Sequence, residues 1–187
     1  VGDDQKQHLE LTRDIAIKFN HDYKVDFFPV TEPVIGGTAS RVMSLRDGTK
    51  KMSKSDPSDL SRINMGDDAD TIFLKFKKAK TDASALPSEI PGLKNRPEAE
   101  NLVTIYSALS NQSIESTLKE VGGKQFSEFK PILAERAVEL LSPISTEMNR
   151  LMQNSEEIDM ILAKGAKRAR KIAGPILQKT YDIIGIL

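Results

Sequence analysis

The chain has 187 residues, 39% of them hydrophobic and 29% charged, enough for one domain or two small ones with a sizeable core. Its 27 basic and 27 acidic residues cancel, which excludes a uniformly basic nucleic-acid coat but not a local basic face. Cysteine is absent, excluding disulfides and a thiolate site, and no apolar run approaches the roughly 20 residues of a membrane span. No secretory leader is visible, and a start at Val1 without methionine leads us to expect a fragment or processed form.

The N-terminal stretch reads as a strand end feeding a helix. Leu9, Ile15, Ala16 and Phe19 recur at helical spacing, predicting a helix over 4–19 with Val1 closing a strand. Gly2 would let a ligand approach the backbone, and Asp3 or Asp4 would cap the helix. Such turns line the ligand crevice of open α/β sheets, although the same letters also spell an ordinary cap. Short extended segments are expected at Val25 to Val30 and Val42 to Leu45, separated by a Pro- and Gly-containing loop from Thr31 to Ser40.

Arg46 to Lys50 then reads as a mobile turn leading into Lys51-Met52-Ser53-Lys54-Ser55. Two lysines flanking small hydroxyl residues make a compact cationic site suited to a polyphosphate, whereas the bland reading is a solvated surface loop. From Pro57 onward the pattern is helical. A helix is expected from Asp68 to Ala79, with Ile72, Phe73, Phe76 and Ala79 on one side. Lys80 to Asn95 reads as a loop, and Pro97 fits the first turn of a helix reaching Leu109. Ser113 should cap a short helix ending at Gly122-Gly123. A longer helix is expected from Phe126 to Leu141, with Pro143 beginning or kinking the next, to about Gln153. Ser155 should cap the last, to about Ile183, and Met148, Leu151 and Met152 are expected in the core. That last helix carries Lys164, Lys167, Arg168, Arg170 and Lys171 beside an apolar stripe through Ile158, Ile161, Leu162, Ala166, Ala169, Ala173 and Ile176. Its cations are read either as a solvated face or as contacts to RNA phosphates.

Lys51-Met52-Ser53-Lys54-Ser55 matches the signature loop of class I aminoacyl-tRNA synthetases without a mismatch. With Val1-Gly2-Asp3-Asp4-Gln5-Lys6-Gln7-His8-Leu9-Glu10-Leu11-Thr12-Arg13-Asp14, the chain resembles the bacterial-type tryptophanyl-tRNA synthetase family. The tyrosyl family shares the glycine, aspartate and glutamine of this turn, but the Lys-Gln-His run with Glu-Leu and Arg-Asp looks like the tryptophan enzyme. Phe27 to Val30, Val42 to Arg46, Ser55-Asp56-Pro57, Arg96-Pro97-Glu98-Ala99 through Asn101-Leu102, and Gly165-Ala166 also look like family segments, so the resemblance runs in order along essentially the whole chain. The second class I signature, a His-x-Gly-His-like turn, has no counterpart around His8 or His21. The expected position of that motif, and of the helix reading the indole N–H, is upstream of Val1, so the chain alone is expected to be inactive in amino-acid activation.

The resemblance implies a mainly α chain: residues 1–55 as the C-terminal end of a Rossmann-like α/β nucleotide-binding domain, and 56–187 as an all-α tRNA- and anticodon-binding domain whose last helix packs back toward the first. It also implies ATP-dependent activation of L-tryptophan and transfer to tRNA(Trp) by a cytoplasmic homodimer. Lys51 and Lys54 are the implied catalytic residues. Gly2, Asp3, Asp4, Val42, Lys51, Met52, Ser53, Lys54 and Ser55 are implied to bind ATP, and Gln5 the amino acid. Mg2+ is expected with ATP, held mainly by phosphate oxygens and water, and no protein metal site is expected. The alternatives are a tyrosyl-type synthetase fragment and a non-catalytic helical RNA-binding module.

Overall fold

The computed structural model describes residues 1–2, 5–35 and 41–186. The chain divides into two compact units, one of Val1–Ile35 with Arg150–Leu187 and one of Gly36–Asn149. The fold is mainly helical, as expected, and among the described residues the sole β-pairing is an isolated antiparallel bridge between Met43 and Lys51. No helix among them is long and apolar enough to cross a membrane.

In the first unit, α1 (Lys6–Tyr23) begins two residues later and ends four residues later than the sequence pattern indicates. Gln5 stands at its N-cap without a side-chain cap bond, while Asp3 and Asp4 lie outside the described residues. The extra turn is explained by aromatic packing, because Phe19 stacks on Tyr23 and meets Phe28 edge-on, each at 4.8 Å between ring centres. Lys24 closes the helix in the left-handed region at φ 53°. The segment after it, expected to be extended, forms no ladder among the described residues. The Asn20 side chain takes the place of a neighbouring strand, accepting from the Phe27 and Phe28 N–H groups at 3.2 and 3.0 Å and donating to the Phe28 carbonyl at 2.8 Å. Val1 likewise pairs no strand; its ammonium donates to the Val34 carbonyl.

The last helix, α6 (Ser155–Ile184), is capped by Asn154 rather than Ser155, because the Asn154 side chain accepts the Glu157 N–H at 3.2 Å and Glu157 grips Arg150 through two 2.7 Å bonds. It buries no residue. Ile161, Leu162 and Ile176 of its apolar stripe are 53%, 63% and 46% exposed.

The core lies in the second unit. Helices α2 (Ala69–Lys78), α3 (Pro97–Leu109), α4 (Ile114–Val121) and α5 (Phe126–Met152) surround Ile72, Phe76, Leu102, Val103, Leu118, Phe129 and Leu133, all essentially inaccessible to water. Ser113 caps α4 and Pro97 opens α3, as the sequence indicates, and Asp68, read in the sequence as the first residue of its helix, caps α2 by accepting from the Thr71 N–H. Phe73, by contrast, is exposed on α2. Two short 3-10 helices, Asp59–Ser61 and Ile90–Leu93, were not apparent in the sequence.

Of the two alternatives at Pro143, the start of a new helix does not occur: α5 runs through both Pro131 and Pro143. Each proline forfeits one intrahelical bond, at a cost of about 3 kcal/mol in an isolated helix. Burial of Phe129, Leu133, Ala134 and Ala137 between them, and of Ser145 beyond, offsets that cost. Met148 and Met152 are 42% and 69% exposed, outside the core where the sequence pattern put them.

Candidate functional site

Val42 to Met52 form a tight hairpin that mounts the Lys51-to-Ser55 segment. The Met52 N–H donates to the Val42 carbonyl at 3.1 Å, and the Ser44 N–H donates to the Lys50 carbonyl at 2.8 Å. Between these bonds Met43 and Lys51 face each other. At the turn, the Asp47 carboxylate accepts from the Thr49 hydroxyl at 2.6 Å and the Thr49 N–H at 3.1 Å, and Lys50 lies 3.3 Å away. The Thr49 hydroxyl bond, then the backbone bond, hold the Asp47 carboxyl down at about 2, so this turn keeps its charge at every physiological pH.

The hairpin is fixed to the helical core at several points. Leu45, buried, donates its N–H to Ser61 at 2.9 Å and accepts from the Lys80 N–H at 2.7 Å. The guanidinium of Arg46 donates to the Lys78 carbonyl at the end of α2. Gly48, at the tip, is buried against the first turn of α3, where a β-carbon would stand 2.5 Å from the Pro97 carbonyl carbon and 2.6 Å from the Glu98 nitrogen. Glu98 pairs with Lys80 at 2.8 Å, and that bond, against the opposing effect of burial, holds its carboxyl below the ordinary value, with the Gly48 N–H adding to the effect. Because the opposing atoms are backbone, a side chain at the tip cannot be relieved by a rotamer change. Gly48→Ala is expected to cost about 1–3 kcal/mol in urea unfolding, and an unchanged midpoint would contradict the docking of the tip on α3.

The motif segment itself stands out from this mount. Met52 packs against the core, whereas Lys51, Ser53, Lys54 and Ser55 are exposed. The Ser53 and Ser55 hydroxyls lie 2.8 Å apart, and the Ser55 N–H donates to Ser53 Oγ at 3.2 Å, so both hydroxyls sit on one local turn. Beyond it, Arg62 donates to the Asp56 carbonyl at 3.0 Å and pairs with Asp59. Lys75, only 1% exposed on α2, binds Asp67 at 2.5 Å and Asp59 at 2.7 Å, and Asn64 donates to both carboxylates. The bonds from Lys75 and then Asn64 hold Asp59 below its ordinary value. The segment is thus anchored on both sides and open between, a geometry in which two ammonium groups and two hydroxyls can meet a polyphosphate.

Of the residues singled out in the sequence, Val42, Lys51, Met52, Ser53, Lys54 and Ser55 come together here. Gly2 and Gln5 belong to the first unit, where the Gln5 N–H donates to the Gly2 carbonyl at 3.0 Å. Asp3 and Asp4 lie outside the described residues. Sequence reasoning missed Gly48, Lys75 with Asp59 and Asp67, and Asn101 on α3. Asn101 was visible only as the end of the Arg96-Pro97-Glu98-Ala99 segment, without a role. In α6, Lys164, Lys167, Arg168, Arg170 and Lys171 are all exposed.

The profile of the family described as tRNA synthetases class I (W and Y) matches residues 1–142. The tryptophan–tRNA ligase of Rhizobium meliloti (strain 1021) is 61% identical over an alignment of 206 residues, covering 100% of this chain and 58% of that protein. The tryptophan–tRNA ligase of Agrobacterium fabrum is 57% identical with the same coverage. Among solved structures, tryptophanyl-tRNA synthetase from Mycoplasma pneumoniae superposes with a TM-score of 0.81 at 30% identity, over 99% of this chain and 57% of that one. The Campylobacter jejuni enzyme, solved in complex with ADP and tryptophan, gives a TM-score of 0.66 at 29% identity, over 99% and 56%. The chain therefore spans somewhat over half the length of the relatives it matches.

Proposed function

The chain belongs to the class I tRNA synthetases of the tryptophan and tyrosine group, and from that membership we propose that it is part of a tryptophan–tRNA ligase. The observation that carries the reading is the anchored hairpin that leaves Lys51, Ser53, Lys54 and Ser55 exposed together. The identity to curated tryptophan enzymes supports tryptophan over tyrosine.

In the first step a tryptophan carboxylate oxygen bonds to the α-phosphorus of ATP, the bond from that phosphorus to the bridging oxygen breaks, and pyrophosphate leaves. In the second, a hydroxyl of the terminal tRNA ribose attacks the acyl carbon and AMP leaves. No covalent enzyme intermediate is required, so the protein acts by positioning and by offsetting charge. Lys51 and Lys54 follow the departing phosphates as compact point charges, and Ser53 and Ser55 donate hydroxyl bonds to them. Met52 and Val42 contribute backbone, Val42 beside adenine. Gly2, Asp3 and Asp4 approach the adenosine ribose, and Gln5 the amino acid. The loop's donors are ammonium and hydroxyl groups, which suit phosphate oxygens. Mg2+ would be held mainly by ATP phosphate oxygens and water rather than by these side chains, and would supply neutralisation of phosphate charge.

Residues 1–55 are read as the end of the catalytic domain and 56–187 as the helical tRNA-binding domain, with the exposed cations of α6 available to tRNA phosphates. The whole enzyme is read as a cytoplasmic homodimer. Aminoacylation tests this function: a version extended to the relatives' full length is expected to charge tRNA with tryptophan and not with tyrosine, whereas tyrosine charging or none would overturn it. Asp4→Ala in the same version is expected to weaken ATP more than tryptophan in equilibrium titrations; unchanged ATP affinity would remove Asp4 from the ATP site.

A further inference from the structure

We infer that Asn101 of α3 is a positioning residue for the motif hairpin, acting through the backbone of Met43 and Ser44. The inference rests on the reading of that hairpin as the ATP-phosphate site. In an extended chain successive residues point their N–H and C=O groups to opposite edges. The Val42 carbonyl and the Ser44 N–H face the returning arm, where they meet the Met52 N–H and the Lys50 carbonyl. Met43 turns its own the other way, where a sheet would supply another strand. Here Asn101 supplies the equivalent from a helix: its Oδ1 accepts the Met43 N–H at 2.9 Å, and its Nδ2 donates to the Met43 carbonyl at 2.9 Å and the Ser44 carbonyl at 3.4 Å.

Asn101 is 5% exposed, and a buried amide is costly unless its partners are placed for it. The two shorter of these bonds go to Met43, the residue that bridges Lys51, and the third to its neighbour Ser44. Met43 is thereby held by α3 through both of its backbone groups, while Val42 and Ser44 on either side of it are held by the returning arm, so the height at which Lys51 is presented is set by the helix as well as by the loop. A cavity of about 250 Å3 beside it, lined by Arg41, Met43, Gly48, Glu100 and Thr104 among others, gives water access to the Met43 backbone if the amide is removed. Truncation can therefore leave the fold intact while releasing the hairpin.

The test uses Asn101→Ala and Asn101→Asp, the latter keeping the acceptor for the Met43 N–H but losing the donor to its carbonyl. In this chain, exchange of the Met43 amide is expected to speed up in Asn101→Ala while the Leu102 and Val103 amides stay protected. In the version extended to full length, the KM for ATP in pyrophosphate exchange is expected to rise roughly tenfold in both variants, with the KM for tryptophan unmoved. Equal losses for both substrates, unchanged Met43 exchange, or loss of the cooperative melt in both variants would assign Asn101 to the core and overturn the inference. Absence of tryptophan-dependent exchange in the parent would instead overturn the phosphate reading beneath it, whatever the Met43 amide does.

Discussion

Lys54→Ala in the full-length enzyme is expected to lower the rate of tryptophan activation roughly 100- to 1000-fold, the loss typical of one preorganised charge-stabilising donor. Tryptophan binding should change far less. The difference follows from where the ammonium sits. Lys54 is exposed on a segment fastened at Met52 and again at Asp56, so it is free to reach charge that develops as pyrophosphate departs. An interaction made only as charge develops lowers the rate without weakening the ground state. Stopped-flow measurement of adenylate formation checks this, with tryptophan affinity measured separately. An equal loss in both would sink the pyrophosphate assignment.

Lys75→Ala is expected to cost about 3 kcal/mol or more in urea unfolding of this chain, because it strands the nearly buried Asp67 carboxylate without its cation. Asp59, more than half exposed, contributes to the network's geometry rather than to that figure. A loss below about 1 kcal/mol would mark the cluster as an ordinary screened surface pair. The pH dependence has a defined sign. Asp59 is held below its ordinary 3.8 in the folded chain, so its contribution is complete above that value and disappears as the pH falls through the lower folded one. Because the cluster anchors the exit of the motif segment, the same substitution in the full-length enzyme should also raise the KM for ATP.

The helices of the second unit were legible because local chemistry and burial agree there. Pro97 and Ser113 mark starts by dispensing with or satisfying free N–H groups, and Ile72, Phe76 and Ala79 fall on a face that is in fact covered. The motif segment was legible as letters, and the structure adds how it is held. Pro143 misled because a local breaker was outweighed by burial along α5. Met148 and Met152 misled in the other direction, since periodicity reports a face and not what lies against it.

The extended segments carry a more specific lesson. Each is held on one edge by a helical asparagine, Asn20 on Phe27 and Phe28, Asn101 on Met43 and Ser44, the latter beside the hairpin pairing of Val42 and Ser44. Nothing in a single sequence distinguishes such an amide from a solvated one, because its partners are 7 or 8 residues away in one case and 58 in the other. Lys75 and Gly48 were hidden for a similar reason. A lysine in a helix reads as surface, and a glycine in Arg46-Asp47-Gly48-Thr49-Lys50 reads as a turn, until Asp59, Asp67 and the first turn of α3 are seen against them.

The most direct measurement is amino-acid-dependent ATP–pyrophosphate exchange across all the amino acids, with this chain and with a version extended to the full length of its relatives. The account predicts exchange with tryptophan alone, in the extended version. Exchange driven by tyrosine, or none with any amino acid, would contradict it.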